Sequence, residues 1–348
     1  MAQSSQAVRQ RVFRLLRGGQ ELTRQEIAAA LSLSMPTTLQ SVTELAEEGI
    51  LEECGAVNSS GGRRAKKIRL RPQAGQAVGI HISARQVELV VTDLLGGLQQ
   101  NAVIPLPFRD QPDWYLRLQQ VLLLFLNQNR INPRQILGVG VSFPGIIDNN
   151  GGQIVQSHAL GLEHTGLERF RKALPFPAVF ANDANCACFA ERGARRGSCL
   201  YLALNDTVGG AVMLNGELWL GDASQAGELG HMLLIPGGRL CYCGKQGCAD
   251  AYLSVQALEQ DGWKVYLDHL SIFLTNLRML MSTDLVIGGQ AGAQIEHHLG
   301  YLRRKAAQYD RFARDVDYIH LCARRESACA AGAAGLALEA FADRALQK

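Results

Sequence analysis

The sequence predicts a mixed α/β protein that begins with a small, basic, helical segment. Three observations lead to this fold class. Short β-rich runs alternate with helical stretches from Ala77 onward, which is typical of α/β proteins. Apolar residues recur at helical spacing before Gly49, and residues 1–71 carry 11 Lys and Arg against 7 Asp and Glu. That segment has a net charge of +4, whereas the rest of the 348-residue chain has −1.

Composition narrows the class of protein further. A hydrophobic content of 47% with 19% charged residues indicates a globular chain with a large core. No apolar run approaches the roughly 18 residues of a membrane span, so we expect no membrane association. The polar start MAQSSQ shows no signal peptide, and the nine cysteines fall mostly in apolar segments. We therefore expect a cytoplasmic protein with reduced thiols.

The first part of the basic segment predicts three short helices. The first helix has apolar residues at helical spacing and ends at Gly18. Thr23 and Glu26 form a capping-box pair that opens a second helix, 24–31. Ser34 caps a third helix with Pro36 in its first turn. We expect this helix to end at Glu48 and to bury Leu39, Val42 and Leu45.

The segment then predicts a β-hairpin, which completes a winged helix-turn-helix pattern. ILEECGAV and KKIRLR indicate two strands, and NSSGGRRA indicates a flexible basic loop between them, the wing. Short polar side chains on an exposed third helix can reach base edges, and basic wing residues suit phosphates. The partner expected is double-stranded operator DNA, with a protein-binding winged helix as the alternative. The expected DNA contacts are Pro36, Thr37, Thr38, Gln40, Ser41, Arg63, Arg64, Lys66 and Lys67.

A metal site is predicted within HMLLIPGGRLCYCGKQGC, residues 231–248. Imidazole and thiolate donors together favour Zn²⁺, and four protein ligands make a closed tetrahedral site with a structural role. The expected ligands are His231, Cys241, Cys243 and Cys248. A chance cluster of buried cysteines is the alternative.

Several motifs resemble the ROK family, which contains bacterial sugar kinases and sugar-responsive repressors. The motifs are GVGVSFPGIID, FANDANCACFAE, GELGHMLLIPGGRLCYCGKQGCADAYLS and the SSGGRR wing. The resemblance implies a two-lobed actin-like or hexokinase-like (ribonuclease H-like) ATPase fold with sugar bound in its cleft, and a structural zinc at the histidine–cysteine spacing. We expect a DNA-binding domain over residues 1–72 and an effector-binding domain over residues 73–348.

The resemblance also implies which residues hold the sugar. The family's sugar-binding positions match Asn182, Asp183, Glu228, His231 and Asp250 in this chain. Carboxylates suit sugar hydroxyls because each can accept two O–H donors. The family usually has Glu where this chain has Asp250, which is one methylene shorter. The ligand expected is a sugar or a sugar phosphate.

Kinase activity is not expected, although Asp183 matches the family's catalytic base. The first phosphate loop of family kinases, Asp-x-Gly-Gly-Thr, is replaced here by residues 81–85, His-Ile-Ser-Ala-Arg. The second, glycine-rich hairpin is replaced by residues 205–211, Asn-Asp-Thr-Val-Gly-Gly-Ala. Phosphoryl transfer depends on these cradles to position the phosphates and stabilise their charge. We therefore interpret Asp183 as a sugar ligand.

The sequence as a whole predicts a sugar-responsive transcriptional regulator, most simply a repressor. A two-fold operator requires a homodimer or a dimer of dimers. Two alternatives remain open at this point: a sugar kinase of the same family, and a regulator whose effector is a partner protein.

Overall fold

The N-terminal segment contains three helices and a three-stranded antiparallel sheet. The computed structural model describes residues 5–56, 65–194, 197–222, 224–312, 316–324 and 327–345. The strands pair in the order β1-β3-β2. The bounds of the elements are α1 (Ser5–Arg17), β1 (Leu22–Thr23), α2 (Arg24–Leu31), α3 (Met35–Glu47), β2 (Leu51–Ala56) and β3 (Lys66–Leu70).

The predicted caps of these helices are confirmed. The Thr23 side chain accepts the backbone N–H of Glu26, whose carboxylate accepts the backbone N–H of Thr23 at 2.7 Å. Ser34 caps α3 and accepts the N–H of Thr37. Gly49 follows α3 with φ +72°, a backbone conformation that ends a helix at little cost in glycine. Local sequence alone therefore sets where these helices begin and end.

The face that α3 buries is rotated from the predicted one. Leu39, expected in the core, is 50% exposed, whereas Thr38 and Ser41, expected on the surface, are 0% and 1% exposed. The Thr38 hydroxyl donates to the Ser34 carbonyl at 3.0 Å, which meets its polar requirement inside the segment. Small side chains at these two positions let α3 pack closely on the other helices.

The remaining elements form two five-stranded sheets and one three-stranded sheet, with their helices. Short strands alternate with helices from Gln76 onward, as the sequence predicts. The elements are β4 (Gln76–Ile82), β5 (Gln86–Asp93), β6 (Leu98–Pro105), α4 (Pro112–Gln128), β7 (Ile136–Phe143), β8 (Ile146–Asp148), β9 (Gln153–Ser157), β10 (Leu162–Gly166), α5 (Glu168–Ala173), β11 (Ala178–Asn182), α6 (Asp183–Ala190), β12 (Cys199–Leu204), β13 (Val208–Leu214), β14 (Glu217–Trp219), α7 (Asp250–Leu253), α8 (Val255–Leu280), β15 (Asp284–Gly288), α9 (Gly289–Gln294), α10 (Leu299–Tyr309), β16 (Ile319–Leu321) and α11 (Ala328–Ala345).

The first compact unit comprises residues 1–141, 167–180 and 333–348. Its large sheet has the strand order β11-β7-β4-β5-β6, with β4, β5 and β6 joined as antiparallel neighbours. Its C-terminal helix segment also packs on α1. Arg14 donates to Glu339 at 2.9 Å, and Arg17 donates to the same carboxylate at 2.7 Å. The Phe13 and Phe341 rings meet edge to face at 6.3 Å.

The second compact unit comprises residues 142–166 and 181–332. Its main sheet has the order β14-β13-β12-β15-β16, in which β12 pairs antiparallel with β13 and parallel with β15. A second, three-stranded sheet has the order β10-β9-β8. The start of α11 packs tightly on α6, because a Cβ at Gly332 would lie 1.7 Å from the Cys186 carbonyl oxygen. This unit carries the candidate site.

Among the described residues, none of the helices combines the length and apolar character that crossing a membrane would require.

Candidate metal cluster and sugar cavity

The four predicted metal ligands lie together at one end of the second unit. The donor atoms of His231, Cys241, Cys243 and Cys248 are all within 4.8 Å of one another. His231 Nδ1 is 3.8 Å from the Cys241 sulfur, and the sulfurs of Cys243 and Cys248 are 3.7 Å apart. A tetrahedral zinc with bonds of about 2.3 Å to sulfur and 2.0 Å to nitrogen sets its ligand atoms about 3.5–3.8 Å apart. The cluster therefore has the chemistry and spacing to hold a metal ion.

Backbone contacts hold the loop that carries these ligands. The Ala249 N–H donates to the Met232 carbonyl, and Leu233 forms an isolated antiparallel bridge with Cys248. Arg239 pairs with Asp261 of α8 through two bonds of 2.6 and 2.8 Å. These contacts hold the cysteine-bearing part of the loop close to His231, although the two are distant in sequence.

A cavity of about 250 Å³ lies beside the cluster, wholly within the second unit. Its volume is slightly below the roughly 300–1,000 Å³ of pockets for drug-sized ligands, so it suits a molecule the size of a monosaccharide. Four of the five predicted sugar ligands line it: Asn182, Asp183, Glu228 and His231. Other lining residues are Gln156, His158, Asn205, Thr207, Tyr242 and Cys243.

Asp183 and Asn182 are positioned by the start of α6. Asn182 caps the helix by accepting the N–H of Asn185 at 3.0 Å, and its own amide donates to the Gly145 carbonyl at 2.9 Å. Asp183 Oδ1 accepts the Ala184 N–H at 2.9 Å. Burial raises the pKa of Asp183 to about 6, against the effect of that backbone bond, and the Glu228 charge raises it further.

Glu228 reaches the cavity because the chain runs flat against β13. Gly227 has φ +90°, and a Cβ there would lie 2.6 Å from the Gly210 carbonyl oxygen. Glu228 is exposed, since the cavity is open to water, but the protein around its carboxyl group removes enough solvent to raise its pKa. His231 acts in the opposite direction on that pKa. Two carboxyl groups thus face one cavity.

Asp250 does not line the cavity. Its side chain is 6% exposed, and Oδ1 accepts the Val208 N–H at 2.6 Å. Burial raises the pKa of Asp250, while that backbone bond lowers it. Asp250, which is one methylene shorter than the family's Glu, therefore supports the cavity wall at the start of β13. It is not positioned to contact a sugar in the cavity.

Tyr242 is a site residue that the sequence analysis missed. Its hydroxyl lies 3.1 Å from His231 Nε2, and its ring stacks on His158 with centroids 4.5 Å apart. If His231 binds a metal through Nδ1, its Nε2 contacts the Tyr242 hydroxyl and is not available to a bound ligand. The position of Tyr242 between two predicted ligands was an available signal. His158, a second residue that the sequence analysis did not assign to the site, is exposed and lines the cavity.

The two loops expected to be unfit for phosphates are compact turns. The Ser83 N–H donates to the Gln86 carbonyl at 3.0 Å, and the Gln86 N–H donates to the Ser83 hydroxyl at 3.2 Å. In the second loop, Asn205 Oδ1 accepts the Gln290 N–H at 2.9 Å, and Asp206 is exposed. In the first turn, the N–H groups of Ser83 and Gln86 are therefore used by the turn itself.

The two five-stranded sheets, one in each unit, are consistent with an actin-like, hexokinase-like fold, and solved structures with the ROK fold align with the chain. A ROK family transcriptional regulator, a homolog of the E. coli Mlc protein, aligns over 97% of both chains with TM-score 0.78 and 18% identity. A ROK hexokinase from Thermus thermophilus aligns over 74% of this chain and 96% of its own, with TM-score 0.63 and 23% identity. The chain belongs to the ROK family, whose family model matches residues 77–264.

Two curated relatives are a sugar repressor and a DNA-binding transcriptional regulator by name. The xylose repressor of Bacillus subtilis (strain 168) is 26% identical over 241 residues, and the DNA-binding transcriptional dual regulator NagC of Escherichia coli (strain K12) is 25% identical over 254 residues. These matches cover 68% and 72% of this chain. The chain spans 63% of the length of each relative.

Proposed function

We propose that the protein is a sugar-responsive transcriptional repressor that binds operator DNA through an N-terminal winged helix, over residues 1–72, and has no kinase activity. The observation that carries the proposal is the exposed face of α3 on a capped three-helix segment. Pro36, Leu39 and Gln40 are exposed on that face, and Thr37 is half-buried. An amide and an apolar side chain suit adenine edges and thymine methyl groups. The repressor relatives support this direction.

The proposed phosphate contacts belong to the strands and the loop after α3. Lys66 is exposed at the start of β3, and Lys67 follows it half-buried. Arg63 and Arg64 lie outside the residues that the structure describes. Thr38 and Ser41 were predicted to contact bases, but both are buried and cannot reach the DNA. A two-fold operator would require two such heads and therefore a homodimer or a dimer of dimers.

The proposed effector site is the cavity of the second unit, stiffened by zinc. The ion would be held by His231, Cys241, Cys243 and Cys248 in a closed tetrahedral set, so its contribution is structural. It would fix the segment on which Glu228 sits and the loop on which Tyr242 sits. Sugar binding regulates DNA binding only if it favours one conformational state, with couplings of about 1–3 kcal/mol.

The absence of kinase activity follows from the loops. The Ser83 turn uses the N–H groups of Ser83 and Gln86 internally, and Arg85 stands where the family's phosphate-loop threonine would be. Phosphoryl transfer rests on phosphate positioning and charge stabilisation, so loss of both cradles removes most of the catalysis. Asp183 then serves to bind the sugar.

The test is DNA binding by fluorescence anisotropy with fragments selected from a genomic library. We expect binding that weakens as salt rises. Leu39→Asp and Gln40→Glu should reduce affinity at least tenfold, whereas Gln128→Glu, an equal charge change at the exposed end of α4, should not. Failure to select any fragment would contradict the repressor proposal. ATP-dependent phosphorylation of a sugar by the purified chain would favour the kinase alternative.

A further inference from the structure

We infer that the effector is an unphosphorylated, uncharged sugar and that the cavity excludes sugar phosphates. This inference rests on the proposed function, since it assumes that the cavity of the second unit is the effector site.

The charges around the cavity carry the inference. Asp183 and Glu228 both line it, and the lining residues within the described part of the chain include neither lysine nor arginine. The basic side chains present are the imidazoles of His158 and His231. Asp250 adds a carboxyl group behind Val208, to which it is hydrogen-bonded. A phosphate dianion in this space would meet carboxylates with no guanidinium or ammonium group in the described lining. The Lys245 ammonium, which donates to the His231 carbonyl at 3.0 Å, is not part of that lining.

Backbone N–H groups are the other usual partners of phosphate, and three of those at the cavity wall are already used. The start of α6 is the natural anion site nearby, because helix N-termini present free N–H groups. Here the N–H groups of Ala184 and Asn185 donate to the side chains of Asp183 and Asn182. The N–H of Val208 donates to Asp250 at 2.6 Å. The protein's own oxygens therefore occupy these anion-binding donors.

The same features favour a neutral polyol. The carboxylates of Asp183 and Glu228 accept O–H donors, while Gln156, Thr207 and Tyr242 offer side chains that can both donate and accept. A ring carrying several hydroxyls can satisfy both kinds of group at once. The cavity volume of about 250 Å³ matches one sugar ring.

Isothermal titration of the full chain with matched pairs tests the inference. The pairs are D-glucose with glucose 6-phosphate and N-acetylglucosamine with its 6-phosphate, with D-xylose as a further neutral sugar. We expect at least one neutral sugar to bind, and its phosphate to bind at least 100-fold more weakly in low salt. A phosphate that binds as tightly as its parent sugar, or more tightly, would overturn the inference and leave the proposed sugar sensor intact. No binding by any of the five would overturn both.

Two variants test whether the residues that line the cavity cause the exclusion of sugar phosphates. Thr207→Lys places an ammonium group in the lining, and Glu228→Gln removes a negative charge. Each should narrow the sugar-to-phosphate affinity ratio at least tenfold. Asp206→Lys makes a larger charge change, of two units, on an exposed neighbouring residue and should leave the ratio within about threefold. Circular dichroism and metal content confirm that each variant is folded; an unchanged ratio in both folded lining variants would overturn the inference.

Discussion

Asp183 should reduce the stability of the folded protein at neutral pH. Burial raises its pKa to about 6, whereas an aspartate in an unfolded chain has a pKa of about 3.9. The folded state therefore holds its proton more tightly, and ionisation opposes folding. The cost is absent below the unfolded pKa, grows as pH rises, and is complete above the folded pKa. A difference of about 2 pH units corresponds to about 3 kcal/mol.

Asp183→Asn removes this cost, since the amide stays uncharged and its oxygen can still accept the Ala184 N–H. We expect the variant to be about 3 kcal/mol more stable than the parent at pH 8, about half of that at pH 5, and to lose sugar binding. Guanidinium unfolding curves at both pH values measure the difference.

Asp206→Asn is the matched control, because it removes a carboxylate from an exposed turn residue. Its stability should lie within about 0.5 kcal/mol of the parent at both pH values. The reasoning would be wrong if Asp183→Asn were no more stable than the parent at pH 8, or if its gain did not grow with pH.

Three further results are expected. Cys243→Ser should abolish the one bound zinc per chain, as measured by plasma mass spectrometry, together with the sugar response; unchanged zinc would contradict the ligand set. Gly332→Ala should lower stability by several kcal/mol in urea unfolding, because its Cβ would overlap the Cys186 carbonyl, whereas Gly300→Ala on α10, where the Cβ would make only an ordinary contact with the Arg304 side chain at 3.5 Å, should be neutral or stabilising. Glu339→Lys should cost about 1–2 kcal/mol by opposing two arginines, against under about 0.5 kcal/mol for the exposed Glu168→Lys; equal effects would refute the importance of the pairs.

Local chemistry made the helix ends and the metal cluster predictable. Thr23, Ser34 and Gly49 fix the adjacent helix ends through local hydrogen bonds and backbone conformation, which depend little on the rest of the fold. The spacing of His231 and the cysteines likewise limits how the loop can close. Family resemblance added Asp183 and Glu228, which the structure brings to one cavity.

Features that depend on packing could not be predicted in the same way. The sequence of α3 offers both Leu39 and Thr38 as core residues, and the choice depends on how closely the helices approach. His158 follows β9, far along the chain from Tyr242, so no local pattern pairs the two rings. Asp250 was a plausible sugar ligand by position, but one methylene fewer leaves its carboxylate on the Val208 amide.

The ion pairs of the N-terminal segment affect how strongly it can hold a polyanion. Arg14 and Arg17 already face Glu339, and Lys66 lies against Glu53. A nucleic acid that recruits these cations must exchange partners with the protein's own carboxylates, and each exchange leaves an acid behind. The affinity should consequently depend less steeply on salt than a count of basic residues suggests. If the proposed function holds, the segment would therefore bind DNA weakly and dissociate from it readily.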